Sequence, residues 1–153
     1  MTRDNVTPFR RRPPPPKPQK GNPLKSHRGK VILVHALTLI AFGIYVAARF
    51  MDPRSFVGFI GLAFGIAAVA IAASNRMEGM PWAMTHHEQA LRTIVIGAAV
   101  WTIASLLLFL PMLGVATLWI QALVALWVLI RACAGLVLAA LRRPVFNAKG
   151  LLL

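Results

Sequence analysis

The sequence predicts an all-α integral membrane protein, with four transmembrane helices at about residues 31–50, 56–74, 94–113 and 115–131 in an antiparallel bundle. Three observations predict it. Of the 153 residues, 58% are hydrophobic and only 14% charged, against about 25% charged in a soluble domain. That leaves too little polar surface to wrap a soluble core. The run from Thr93 to Ile130 contains no Lys, Arg, Asp, Glu or His. A hydrocarbon core takes roughly 20 apolar residues per helical crossing, so this run crosses twice, and Pro111 with Gly114 marks the reversal. Finally, the charge is one-sided, with 17 Lys and Arg against 4 Asp and Glu, for a net +13.

Much of that charge sits in residues 1–30, where Arg10-Arg11-Arg12 runs into Pro13-Pro14-Pro15-Pro16-Lys17-Pro18. Like charges repel and no hydrophobic period exists, so this segment is expected to be a disordered, extended arm with polyproline II character. It is too long and basic for a cleaved secretory signal. The expected contact of the arm is anionic lipid headgroups. Lipid is favoured over nucleic acid because a span beginning at Val31 holds the arm at the leaflet.

The first span, Val31 to Phe50, carries His35 about one turn in. The expected place for that side chain is the headgroup region, since one His makes no metal site. Asp52-Pro53-Arg54-Ser55 reads as a turn, with Asp or Ser as a cap for the next helix. The second span contains Gly61 and Gly65, a small-xxx-small pair that lets a neighbouring helix approach closely. The longest polar connection, Asn75 to Thr93, ends in Thr85-His86-His87-Glu88, which has the form of a capping box. The third helix is therefore expected to start near Thr85, with Glu88 and Arg92 paired at i,i+4. Trp82 is expected at headgroup level.

In the third and fourth spans, Thr102, Ser105 and Gln121 are placed for interhelical hydrogen bonds, worth on the order of 0.6–2 kcal/mol each. Trp119 and Trp127 read as interfacial anchors. From Val115 to Ile130 the fourth span is slightly short. Arg131 is therefore expected to sit at the boundary and snorkel, because an Arg exposed at midplane costs about 2.5–3.5 kcal/mol. Residues 132–141 would then bend into an interfacial helix, and residues 142–153, with Arg142, Arg143 and Lys149, form a tail. The alternative is a helix that continues to Leu141 with Arg131 buried. In domain terms the chain reads as an arm (1–30), a transmembrane unit (31–141) and a tail (142–153).

Orientation follows from the basic residues. The arm, Arg76, Arg92, Arg142, Arg143 and Lys149 fall on one side of four crossings, and Arg49 and Arg54 on the other. The positive-inside rule makes the richer side the cytoplasm, with both termini inside.

Chemistry is sparse. His87-Glu88-Gln89-Ala90-Leu91 starts like a zinc-protease motif, but Leu91 stands where the second His must be. Adjacent His86 and His87 point about 100° apart and rarely clasp one ion. No nucleophile has a catalytic setting, and the spans lack the acids that coupled transport uses. The lone Cys133 permits no internal disulfide. No enzyme activity, cofactor or metal is expected.

The second half resembles a bacterial family of small four-span membrane proteins, largely of unknown function and related to the chloroplast inner-envelope protein-import component. The residues that carry the resemblance are Thr85, His86, Leu91, Arg92 and Thr93, then Trp127, Arg131-x-x-x-Gly135 and Pro144-Val145, within about residues 82–148. Gln89 stands one position early for that pattern, and Ala148 replaces a terminal Pro. The resemblance implies a four-helix membrane domain in the bacterial inner membrane and transfers no mechanism.

The expected role is a non-catalytic accessory or partner-binding subunit, with a membrane protein or a second copy as partner. The alternative is an oligomeric channel or translocation component. The candidate interaction cluster is His86, Glu88, Arg92 and Arg131, with a Glu88–Arg131 contact as its sharpest feature. Gly61 and Gly65 are the candidate helix-packing residues.

Overall fold

A computed structural model describes residues 26–51, 56–77, 79–107 and 109–151. The arm before Ser26 and the turn at Asp52–Ser55 lie outside the described residues. Four helices, α1 (His27–Met51), α2 (Val57–Asn75), α3 (Pro81–Leu107) and α4 (Gly114–Ala140), form an antiparallel bundle, and a 3₁₀ turn at Pro111–Leu113 leads into α4. All four are long and apolar enough to cross a membrane. They follow one another around the bundle in chain order, with α1 and α3 in contact across the diagonal.

The outside of this bundle is greasy. Phe59, Ile66, Val95, Leu106, Leu123 and Leu129 are exposed, a surface that water penalises and lipid does not. The inside is built from small residues, with Ala41, Ala68, Ala72, Ala90, Ala104 and Ala132 buried. Small side chains let helix backbones approach, and in lipid that packing supplies much of the association energy. Gly61 shows how close: a Cβ there would stand 3.0 Å from the Ala41 carbonyl oxygen and 3.2 Å from Ile44 Cγ2. Gly65 faces Ala41 with ordinary clearance, 3.9 Å to its Cβ. Both glycines therefore serve the α1–α2 contact within one chain.

Helix α1 begins four residues earlier than the apolar pattern predicts, because polar residues there have partners. Ser26 Oγ accepts the Gly29 amide at 3.0 Å, a cap on an otherwise unpaired donor. Arg28 Nη2 donates to the Ala140 carbonyl at 3.1 Å. Lys30 Nζ donates to Asn75 Oδ1 at 2.7 Å, and Asn75 Nδ2 donates to the Ile71 carbonyl at 2.8 Å. In an antiparallel bundle the start of α1 lies beside the carboxyl ends of α2 and α4. Cations are favoured there by the unpaired carbonyls and the helix dipole.

Helix α3 starts at Pro81, ahead of the expected Thr85. Proline suits a first helical position, where no amide donor is needed. Thr85 is thus inside the helix, its hydroxyl donating to the Trp82 carbonyl at 2.7 Å, and the capping box does not form. The cap position of α2 is Phe56, with no side-chain capping bond.

Helix α4 corrects the larger expectation. It runs unbroken from Gly114 through Arg131 to Ala140, so there is no separate interfacial helix at 132–141. Its end is a Schellman motif: Arg142 N donates to the Ala139 carbonyl at 3.1 Å and Arg143 N to the Leu138 carbonyl at 2.9 Å. That geometry places Arg142 at φ 54°, a left-handed conformation usually given to Gly, and Pro144 prevents further helix. The chain then turns back along the bundle.

Candidate functional site

The polar residues inside the bundle gather at two depths. At the first, His35 of α1, His86 of α3 and Gly135 of α4 meet. His35 and His86 are 2% and 1% exposed, so His35 is not the interfacial side chain expected from its position near the start of the span. Its ring occupies the space that a side chain at Gly135 would need, with His35 Nδ1 and Nε2 both 2.6 Å from the place of a Cβ. His86 Nε2 lies 2.9 Å from the Arg143 carbonyl. A carbonyl only accepts, so this nitrogen donates, and the neutral ring then offers Nδ1 to the Nε2–H of His35 at 3.2 Å. One hydrogen-bonded line thus runs from α1 through α3 to the chain beyond α4.

One turn along α4 from Gly135, Arg131 is 2% exposed. Its Nε donates to Thr93 Oγ1 at 3.0 Å and its Nη1 to the Gly150 carbonyl at 2.9 Å. The guanidinium also lies over the Trp127 ring, 5.2 Å from its centroid, where the negative face of the ring attracts a cation. Arg131 is therefore buried among helices, and the snorkelling expectation is overturned. A guanidinium with carbonyl, hydroxyl and aromatic partners is satisfied where it stands, which removes the need to reach outward.

These contacts hold residues 143–151 against the bundle as a strap, with Val145 tucked in. The Val145 amide donates to Thr85 Oγ1 at 3.1 Å, and Val145 itself is 6% exposed. Further along, Arg92 Nη1 donates to the Lys149 carbonyl at 3.3 Å and Trp127 Nε1 to the Leu151 carbonyl at 2.8 Å. A segment outside regular secondary structure exposes its own amides and carbonyls, and in a membrane each must be paired. Side chains of α3 and α4 pair five of these groups, the Arg143, Lys149, Gly150 and Leu151 carbonyls and the Val145 amide.

Of the candidate cluster, His86, Arg92 and Arg131 are thus gathered around one segment, although they do not touch as a group. Glu88 stands apart. Its Oε1 takes Arg92 Nε at 2.6 Å on the surface of α3, in place of the expected Glu88–Arg131 contact. An i,i+4 pair of this kind contributes only about 0.3–0.5 kcal/mol.

Sequence reasoning put His35 at the headgroups, and named Thr93, Gly135 and Val145 only in the family resemblance, with no contact assigned to them. Part of the signal was present. His86 and Thr93 are seven apart, and Arg131 and Gly135 four apart, spacings that place each pair on one helical face. What single-helix spacing does not show is which faces meet.

The second polar depth joins α1, α3 and α4 nearer the Pro111 turn. Gln121 Nε2 donates to Ser105 Oγ at 3.1 Å, and Arg49 Nε donates to Gln121 Oε1 at 3.3 Å. Thr102, expected to join them, is exposed instead. Between the two depths the bundle is closed by packing. At Gly97 a Cβ would stand 2.7 Å from Phe42 Cζ and 2.8 Å from Val128 Cγ2.

Chemically this arrangement ties chain segments together. Among the described residues, no group of three or more His, Cys, Asp or Glu is placed to hold a metal ion. His87 Nδ1 and both amide atoms of Gln89 are buried without a hydrogen-bond partner among the described residues. Gln89 lies between His86 and Thr93 on the same face of α3.

Comparison with family models, with curated proteins and with solved structures gives no match.

Proposed function

We propose that this chain is a non-catalytic integral protein of a bacterial inner membrane. It acts as a partner-binding or accessory subunit, with both termini in the cytoplasm. The observation that carries this reading is the use made of the polar interior. His86, Arg131, Thr85, Arg92 and Trp127 all bond to the protein's own segment 143–151. Groups spent on self-binding build a fixed surface and leave little for turnover.

That surface is charged and sits at one end of the bundle. Arg28, Arg76 and Arg142, near the start of α1 and the ends of α2 and α4, are exposed, as is Phe146 four residues after Arg142. Exposed Arg residues and an exposed aromatic ring suit a protein partner. The excess of Lys and Arg at this end over Arg49 and Arg54 supports its placement in the cytoplasm. The resemblance over residues 82–148 supports the bacterial inner membrane as the location.

The test is in-cell crosslinking from Phe146 followed by isolation in mild detergent and mass identification. A specific heteromeric partner, lost in Phe146→Asp, is the expected result. Only the monomer, in every gentle preparation, overturns the reading.

The alternative, an oligomeric channel or translocation component, draws on the family resemblance and on Gln121 and Ser105. Within one chain, the plane of Phe42, Gly97 and Val128 separates the two polar depths by close packing, so such a path would run between copies. Vesicles carrying the protein and conducting ions or passing a presequence would favour the alternative.

A further inference from the structure

A groove of about 540 Å³ opens on the bundle surface beside the second polar depth, lined by Val46, Arg49, Trp101, Leu118, Trp119 and Ala122 among others. Its size falls within the roughly 300–1,000 Å³ of ordinary ligand sites. Its walls are apolar and face the region that lipid tails occupy. One charge, Arg49, stands in it.

The position of that charge is unusual. Arg49, in the last turn of α1, bonds to Gln121, which is seven residues, about 10 Å of helical rise, inside the start of α4. On the groove wall Val115, Leu118 and Trp119 are exposed and apolar. A cation in an apolar groove that faces lipid is costly unless an anion joins it. Among the described residues Arg49 has no carboxylate partner; its bond is to the neutral Gln121 amide.

The guanidinium is also held in place. Ser105 Oγ donates to the Trp101 carbonyl at 2.8 Å, Gln121 Nε2 donates to Ser105 Oγ, and Gln121 Oε1 takes Arg49 Nε. This line of bonds uses the Nε edge and leaves the two amino groups, side by side in one plane, for an acceptor with two adjacent anionic oxygens. A phosphate diester has that form, and Arg matches it through paired N–H donors.

We infer that this groove binds one anionic glycerophospholipid, its phosphate on the Arg49 amino groups and an acyl chain along Leu118, Trp119 and Ala122. The inference does not depend on the accessory-subunit reading, since it concerns a different face of the bundle.

The test uses the full-length protein in mild detergent, titrated with phosphatidylglycerol and read by native mass spectrometry. Wild type should carry one lipid at concentrations where R49Q carries about tenfold less, as expected for loss of a charge-assisted contact. Ala122 is exposed, so A122F fills the groove without entering the core and should lose the lipid to a similar extent. R142Q, at the other end of the bundle, should bind as wild type does. Equal lipid occupancy in R49Q and wild type overturns the assignment. So does undiminished occupancy in A122F, or binding of diacylglycerol, which lacks the phosphate, as tightly as phosphatidylglycerol. If R49Q loses its helical circular dichroism, A122F and the diacylglycerol titration decide the matter alone.

Discussion

Replacing Gly135 with alanine adds one methyl group where the His35 ring already lies. Both nitrogens of that ring are 2.6 Å from the place the new Cβ would take, well inside van der Waals contact. The ring has little room to retreat, because His35 is 2% exposed and is bonded to His86. Overpacking of this kind costs about 1–3 kcal/mol. Displacing the ring also removes the His35–His86 bond, about 0.6–2 kcal/mol in a membrane bundle. Alanine returns about 1 kcal/mol through its better helix propensity. The balance is a net loss of about 1–4 kcal/mol.

Equilibrium unfolding in mixed micelles, titrated with a denaturing detergent, measures this directly. Two companions make the result interpretable. A Cβ at Gly43 would meet nothing within 4 Å, so Gly43→Ala should be neutral or stabilising by up to about 1 kcal/mol. In a His35→Ala background the clash has no partner, and adding Gly135→Ala should then cost nothing. Such a double-mutant cycle isolates the coupling between the two positions. A full Gly135→Ala penalty that persists without the His35 ring would refute the reasoning, as would no penalty in wild type.

Three further outcomes follow from the same contacts. Arg142→Gly should stabilise the folded state by about 1 kcal/mol in the same assay, because φ 54° costs an L-residue about 1–2 kcal/mol. Thr85→Val keeps the shape but removes the acceptor for the Val145 amide. An unpaired buried donor costs about 1–3 kcal/mol, so hydrogen exchange should accelerate at Val145 and spread along the strap. Arg131→Leu should also release the strap, with faster exchange near Gly150 and a changed Trp127 emission. A snorkelling Arg131 predicts the opposite, a more stable span and an undisturbed Trp127.

The four crossings were legible because hydrophobic length is a local property, and the break at Pro111 is a local signal. Gly61 and Gly65 were legible as a packing face for the same reason. The ends of the helices were less so. Val31 looked like the start of α1 because Arg28 and Lys30 are basic, but their carbonyl and amide partners, Ala140 and Asn75, lie far away in sequence. Arg131 shows the same failure more sharply. Read along its own helix it is a charge at the end of a short span, and snorkelling is the cheaper outcome. Thr93 and the Gly150 carbonyl make burial cheaper still, and neither is local to it. The capping box at Thr85–Glu88 failed through competition: Pro81 already offered a start, and the Thr85 hydroxyl was needed for Val145.

Four of the long-range bonds are made by α1. Among the described residues it is bonded to α4 through Arg28, to α2 through Lys30, to α3 through His35 and to α4 again through Arg49. In lipid, helices have no hydrophobic drive to associate, since a tail is as apolar as a leucine, so close packing and interhelical hydrogen bonds together choose between neighbouring registers. Polar contacts at both ends of one helix distinguish them strongly. Sliding α1 by one turn, about 5.4 Å, would break all of these bonds together and drive the His35 ring away from its seat at Gly135. The polar residues of this bundle thus define which four-helix arrangement forms. The strap over α3 and α4 can form only once that arrangement has brought His86 and Arg131 to the same end.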